Sequence, residues 1–164
     1  MLLQPDSYRD ASLRRAGSNV SSVLFVLTVY SLLASWAMWL DRASGAGFRT
    51  AAAFVVWGLL RWVVVAPILW FIGVHGVEGE GTLGAMYRAT ALAHAPLLLQ
   101  VMPLDVSFAN VVAAVWFVLA LMVAGRAVLG LSVRRAAGTA VMAAAGLLIV
   151  SNVFLVPIAI FGVV

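Results

Sequence analysis

Five long apolar runs, separated by short polar connections, dominate the chain. They cover residues 20–40, 50–74, 83–104, 108–131 and 136–163. Each is near or above the about 20 residues that a helix needs to cross the hydrocarbon core of a bilayer. The third run is the most polar, but its polar groups can turn toward neighbouring helices. The pattern therefore predicts an all-α, polytopic membrane bundle of about five transmembrane helices, preceded by a mostly polar lead-in at 1–19.

The composition strengthens the membrane prediction. Of the 164 residues, 65% are hydrophobic and 10% are charged, whereas soluble domains carry roughly 25% charged residues. So few polar groups cannot cover a soluble surface, and the apolar faces are expected to meet lipid. The chain has no cysteine, which excludes disulfides, iron–sulfur ligation and a cysteine nucleophile.

The positive charges predict an orientation in the membrane. The formal net charge is +4, and the ten basic residues are all arginine. They are scattered between apolar runs, so no contiguous surface for nucleic acid forms. Near the predicted spans, the side of the N-terminus holds seven arginines and the opposite side holds two: Arg9, Arg14, Arg15, Arg88, Arg126, Arg134 and Arg135 against Arg42 and Arg49.

Positive residues stay on the cytoplasmic side of a membrane. We therefore predict a cytoplasmic N-terminus and a C-terminus on the outside. Four of the arginines lie near the cytoplasmic ends of the spans and are expected to reach lipid headgroups: Arg88, Arg126, Arg134 and Arg135.

The segment Gly79-Glu80-Gly81-Thr82-Leu83-Gly84 has the spacing of a dinucleotide-binding fingerprint, and Asp105 follows further along. That fingerprint works only where a strand leads in and a helix leads out of a βαβ unit. Here two membrane spans flank the glycines, and Asp105 lies one crossing away. The segment therefore predicts a tight link between the second and third spans, and no nucleotide site.

Arg61 lies about midway along the second apolar run. An arginine at the centre of a membrane helix costs about 2.5–3.5 kcal/mol, so it should face the bundle and find hydrogen-bond acceptors. No run contains a carboxylate. The predicted acceptors are Gln100, Asn110, Asn152, the His94 ring, and the carbonyls of Val63, Leu92 and Val153, which lose their helical donors to prolines. Two interpretations stay open: a contact with a ligand, lipid headgroup or partner, and an interhelical hydrogen bond.

His94 shares a predicted helical face with Tyr87 and Thr90. A neutral imidazole can bind a haem iron or a chlorophyll magnesium. A site with two histidines would need the other histidine, His75, at a matching depth, but it lies at the end of the second run. We favour a structural histidine beside Pro96, with a haem or pigment ligand as the alternative. No cofactor or metal is predicted, and bound lipid is expected.

No arrangement of residues suggests catalysis. Glu78 and Glu80 lie on the Gly-rich link, and Asp105 lies on the opposite side of the membrane, so they cannot form an acid/base pair. Ser132 has no base near it in sequence. Five small residues in the last two runs predict close helix packing, within one bundle rather than between copies: Gly125, Gly138, Ala140, Ala144 and Gly146.

Two longer segments carry a family resemblance. "FIGVHGVEGEGTLGAMYRATALAHAPLLL" and "FVLALMVAGRAVLGLSVRRAAGTAVM" resemble the central part and the last two spans of the Yip family of Ypt/Rab-interacting membrane proteins, especially its bacterial members. The opening "LLQPDSYRDASLRR" is similar to the short amphipathic lead-in of those members, which implies a cytoplasmic amphipathic lead-in at 1–19. The resemblance implies five spans, a cytoplasmic N-terminus and, from the likeness to bacterial members, a place in a bacterial inner membrane.

Eukaryotic Yip proteins are trafficking scaffolds that bind Rab-type GTPases. We do not carry GTPase binding over to this chain for two reasons. We expect no counterpart of their long cytosolic N-terminal segment. In addition, Leu92 stands where the family often has tyrosine, four residues before Pro96.

The sequence therefore favours a non-enzymatic membrane scaffold or organiser that acts through intramembrane helix contacts. One version is an accessory subunit of a respiratory or photosynthetic complex. The alternative is a small transporter or lipid-binding protein, suggested by Arg61 and by prolines within the spans. Expected partners are membrane lipids and other integral membrane proteins, with no nucleic acid and no nucleotide.

Overall fold

The computed structural model describes residues 17–40, 47–101 and 106–150, and this part of the chain is almost entirely helical, without a strand. We number the α-helices in chain order: α1 Gly17–Leu40, α2 Gly47–Phe71, α3 Leu83–Ala93, α4 Val106–Leu129 and α5 Val133–Val150. A π-helical turn, Ile72–Gly76, extends α2, and a 3-10 helix, Ala95–Val101, follows α3. The predicted all-α class is confirmed.

Three of the described helical segments are long and apolar enough to cross a membrane. They are Val55–Gly76, Phe108–Leu129 and Val133–Val150, while α1 contributes a shorter apolar stretch, Val20–Trp36. These segments fit a polytopic membrane bundle, as predicted. The count of five crossings stays a prediction, and most of the lead-in, like the end of the fifth predicted span, lies outside the described residues.

The third apolar run consists of two helical pieces. Thr82 caps the start of α3, because its hydroxyl accepts a hydrogen bond from the Ala85 N–H at 3.2 Å. The α-helix ends at Ala93, and the 3-10 helix begins at Ala95. Pro96 explains the break, because it has no N–H and its ring disfavours an α conformation at the preceding residue. The break places the His94 ring between the two pieces, in the bundle interior.

Pro67 lies inside α2 and leaves the Val63 carbonyl without its helical donor. We predicted this carbonyl as one of several available acceptors for Arg61; in the structure it has a different donor. The Tyr87 hydroxyl of α3 donates to it at 3.1 Å. In return, the Trp62 Nε1–H of α2 donates to the Tyr87 carbonyl at 3.0 Å. This reciprocal pair joins α2 to α3.

The loop at 77–82 packs against the loop at 130–132, and we call the pair the loop junction. The Glu80 N–H donates to the Leu129 carbonyl at 3.1 Å, and Trp70 Nε1–H donates to the Gly81 carbonyl at 2.9 Å. A Cβ added at Gly81 would lie 2.7 Å from the Val128 carbonyl oxygen, so only glycine fits there. The predicted tight link is thus present, and it is entered from a helix rather than a strand.

Small side chains let the helices approach closely. Several alanines of α4 and α5 are buried: Ala113, Ala120, Ala124, Ala136, Ala140 and Ala143. Lipid supplies no hydrophobic force between helices, so such close packing is a main source of association in a membrane. Of the small residues singled out in the sequence, Ala140 is buried and Gly146 faces Ile68 of α2. Gly138 is exposed, with no heavy atom within 4 Å of an added Cβ.

Candidate intramembrane polar site

Arg61 lies within Val55–Gly76, the segment of α2 and its π-helical extension that is apolar enough to cross a membrane. At 1.5 Å per residue it is about 21 Å from Gly47 and about 15 Å from Phe71, the ends of the helix. The side chain is half-buried, and its guanidinium carbon lies 4.5 Å from the centre of the Phe117 ring of α4. A cation over an aromatic face gains about 0.5–2 kcal/mol, more where water is excluded.

Two buried side chains complete the surroundings of Arg61. Tyr30 of α1 is 3% exposed and His94 is 0% exposed. The His94 ring packs edge-to-face against Tyr30, with ring centres 5.9 Å apart, and against Phe117, with centres 5.2 Å apart. The Arg61 side chain lies near both the Tyr30 hydroxyl and the His94 ring. We call these four residues, Tyr30, Arg61, His94 and Phe117, the polar site.

The position of Tyr30 depends on a glycine. A Cβ added at Gly58 would lie 2.1 Å from Cγ of the Tyr30 ring, so the ring rests directly on the backbone of α2. Gly58 precedes Arg61 by three residues, and residues three apart share a helix face. The missing side chain at Gly58 thus creates the space in which Tyr30 reaches Arg61.

A hydrogen bond fixes the proton on the His94 ring. Nδ1 of His94 lies 2.8 Å from the Thr90 carbonyl oxygen. A carbonyl only accepts hydrogen bonds, so Nδ1 carries the proton and donates it. In the neutral ring, Nε2 then presents a lone pair toward the interior of the bundle.

Three polar atoms of this site are buried without a hydrogen-bond partner among the described residues: the Tyr30 hydroxyl, Nε of Arg61 and Nε2 of His94. Each unsatisfied buried polar group typically costs about 1–3 kcal/mol. No Asp or Glu occurs within the described helices, so none of their side chains neutralises Arg61. The polar site therefore combines three unpaired polar atoms with an arginine charge that no carboxylate of the described helices neutralises.

The structure brings together two of the predicted site residues, Arg61 and His94. Asn110 is exposed on α4, whereas the side chain of Gln100 and all of Asn152 lie outside the described residues. Sequence reasoning missed Tyr30 and Phe117. Tyr30 had one usable signal, a hydroxyl in the first apolar run. Phe117 had none, because one phenylalanine in an apolar run resembles any other.

A haem or pigment ligand role for His94, which we kept as the alternative to a structural histidine, stays a prediction. The atom that would bind a haem iron or a magnesium, Nε2, is enclosed, and the Tyr30 and Phe117 rings pack against the imidazole. A macrocycle would have to displace these rings. Across the described residues, no group of three or more His, Cys, Asp or Glu side chains could hold a metal ion.

The arginines predicted to meet lipid headgroups lie toward the loop junction. Arg126, Arg134 and Arg135 are exposed, and Arg88 of α3 is half-buried. The Arg135 guanidinium donates to the Val77 carbonyl at 3.2 Å, which ties the start of α5 to the loop at 77–82. Lipid contact at these arginines remains a prediction.

Comparison with known protein families gives a match that includes all the residues that the structure describes. The model of the Yip1 domain matches residues 1–155. The resemblance to the Yip family inferred from the sequence is thereby confirmed. No curated protein and no solved structure gives a significant match to the chain.

Proposed function

Because the chain belongs to the Yip1 family of membrane proteins, we propose that it is a non-enzymatic organiser that acts through lateral helix contacts within the membrane. In the proposed arrangement it is an inner-membrane protein with a cytoplasmic N-terminus. One specific form of this role is that of an accessory subunit in a larger respiratory or photosynthetic assembly.

The outer surface of α5 carries this proposal. Val141, Met142, Leu148 and Ile149 are 58–64% exposed, and they lie on one helix face. Buried small residues of the same helix, among them Ala140 and Ala143, hold it against the bundle. The helix therefore presents one face of large apolar side chains away from the bundle. Such a face suits an apolar helix of another membrane protein.

The distribution of chemical groups supports a non-enzymatic role. Glu78 and Glu80 are exposed in the loop at 77–82, whereas His94 lies in the bundle interior. Acid/base catalysis needs its groups within hydrogen-bond reach of one reacting atom. Among the described residues the carboxylates and the interior histidine are on different elements, and no hydrogen bond joins them.

Lipid binding is a second candidate function, and one observation favours it. The polar site holds an arginine in the membrane interior with unpaired polar neighbours. Intramembrane charges commonly mark ligand or ion pathways. A coupled transporter would usually add an intramembrane carboxylate, which the described helices lack. Between the two alternatives to a scaffold, lipid binding is therefore better supported than transport.

Photo-crosslinking from α5 tests the proposed lateral contacts. A photoreactive residue is placed at Val141 or Met142, which face outward, and at Ala140 or Ala143, which are buried. We expect the outward positions to form one discrete adduct with another integral membrane protein in native membranes. The buried positions are the matched control and should form none. Adducts with lipid alone at both outward positions would refute the proposal.

A further inference from the structure

We propose that the polar site binds a phosphomonoester group, supplied either by the headgroup of an anionic lipid or by free phosphate. The inference deepens the lipid-binding candidate. It is independent of the proposed lateral contacts, because its ligand lies inside the bundle whereas those contacts use the outer face of α5. Each could fail without the other.

Charge is the first reason for this ligand class. An arginine side chain carries a positive charge in proteins, and no carboxylate of the described helices accompanies Arg61. Burying an uncompensated charge is expensive. The Phe117 ring offsets part of this cost, but an aromatic face carries no net charge. An anion would neutralise the site, whereas water would leave the charge in place.

The unpaired atoms of the polar site further restrict the class of ligand that it could bind. Nε–H of Arg61 is a donor, the Tyr30 hydroxyl can donate, and Nε2 of His94 accepts. A matching ligand must therefore accept at least two hydrogen bonds and donate one. A carboxylate or a phosphodiester accepts but has no proton to donate. The monoanion of a phosphomonoester has both anionic oxygens and a hydroxyl, and its second pKa near 6 keeps that form accessible.

The burial pattern indicates the side of entry. Tyr30 and His94 are more than nine-tenths buried, whereas Arg61 is only half-buried. Its neighbours on α2, Leu60 and Val63, are 40% and 46% exposed. Because the Tyr30 hydroxyl and Nε2 of His94 are enclosed, the Arg61 side chain must move aside to open a route to them from the outer surface of α2, which the membrane surrounds. This route suits a lipid whose acyl chains remain outside the bundle.

Thermal unfolding in lipid nanodiscs tests the inference. The protein is placed in phosphatidylcholine discs with increasing phosphatidic acid, a phosphomonoester, or phosphatidylmethanol, a diester without a free hydroxyl. Unfolding is followed by the fluorescence of the six tryptophans. We expect phosphatidic acid to raise the midpoint in proportion to its occupancy, and phosphatidylmethanol to raise it much less. Equal shifts with both lipids would overturn the phosphomonoester assignment.

Three variants separate the polar site from the surface arginines. Tyr30→Phe keeps the ring on Gly58 and removes only the hydroxyl, and it should weaken the apparent affinity for phosphatidic acid about tenfold, the effect of one charge-assisted hydrogen bond. Arg61→Gln should abolish the shift. Arg134→Gln, on the exposed start of α5, is the control and should retain it. An unchanged affinity in Tyr30→Phe overturns the proposal, even if Arg61→Gln fails to fold.

Inorganic phosphate distinguishes the two sources of the group. It is added to pure phosphatidylcholine discs in place of the anionic lipid. A midpoint shift that Tyr30→Phe weakens would assign the site to free phosphate. No shift with inorganic phosphate, together with a Tyr30-dependent shift with phosphatidic acid, would assign it to the lipid headgroup.

Discussion

Replacing Phe117 by alanine is expected to lower the free energy of unfolding by about 2–4 kcal/mol. The ring is 2% exposed and contacts both the His94 ring and the Arg61 guanidinium. Truncating a buried phenylalanine costs about 3–5 kcal/mol in soluble proteins. The value is expected to be lower here because the unfolded helices remain in lipid, so that the loss is mainly of packing. Unfolding by a denaturing detergent, followed by tryptophan fluorescence, measures the change.

Phe108→Ala is the matched control on the same helix. Phe108 is 60% exposed, so its truncation leaves no buried cavity and should change stability by less than about 0.5 kcal/mol. Phe117→Leu should lie between the two alanine variants, because it restores volume but no aromatic face for Arg61. Equal stability of Phe117→Ala and Phe108→Ala would show that Phe117 does not hold the polar site together.

Gly58→Ala is expected to destabilise the bundle by about 1–3 kcal/mol, the usual cost of overpacking. The new Cβ would lie 2.1 Å from the Tyr30 ring, and the α2 backbone cannot move aside without disturbing its contacts with α1. The ring must therefore leave, and the hydroxyl leaves Arg61 with it. The same detergent titration measures the loss.

A control variant and a double variant test whether the effect of Gly58→Ala comes from the clash with Tyr30. Gly138→Ala adds a methyl group to an exposed position of α5 with no neighbouring atom within 4 Å. It should be neutral or stabilising by up to about 1 kcal/mol, because alanine favours helix over glycine. In a Tyr30→Ala background, Gly58→Ala should cost little more, since the clash is gone. Additive losses at the two positions would contradict direct contact.

Several features of the fold follow from local sequence rules. The lengths of the apolar runs predicted helices that the structure contains, and Pro96 predicted a disturbance that appears as the break at His94. The GEGTLG segment was correctly interpreted as a tight link, because the run leading into it has the length of a membrane helix. These features depend on neighbours in sequence, so sequence alone specifies them.

The polar site depends on contacts between four different segments, and sequence alone could not specify it. The depth of Arg61 was predicted from its place in the run, but its aromatic partner Phe117 lies on another helix. The Val63 carbonyl shows how far prediction from sequence reaches. The loss of its helical donor to Pro67 was predictable, but the replacement donor, Tyr87, depends on how α3 packs against α2.

The loop junction shows the same division between local and distant information. The glycines at 79 and 81 predicted a turn. Residues distant in sequence require glycine at these positions, because a Cβ at either one would approach within 3.0 Å of Gly73, Leu129 or Val128. The pairing of the loops at 77–82 and 130–132 becomes apparent only when α2, α4 and α5 are in place.

In the proposed function, the protein acts by contacting another membrane protein laterally. Solubilising native membranes in a mild detergent, purifying the tagged protein and quantifying what accompanies it tests this most directly. We expect an integral membrane protein at a fixed stoichiometry, and its loss when Met142, an outward residue of α5, is replaced by arginine. Recovery of the protein with lipid alone, unaffected by Met142→Arg, would contradict the account.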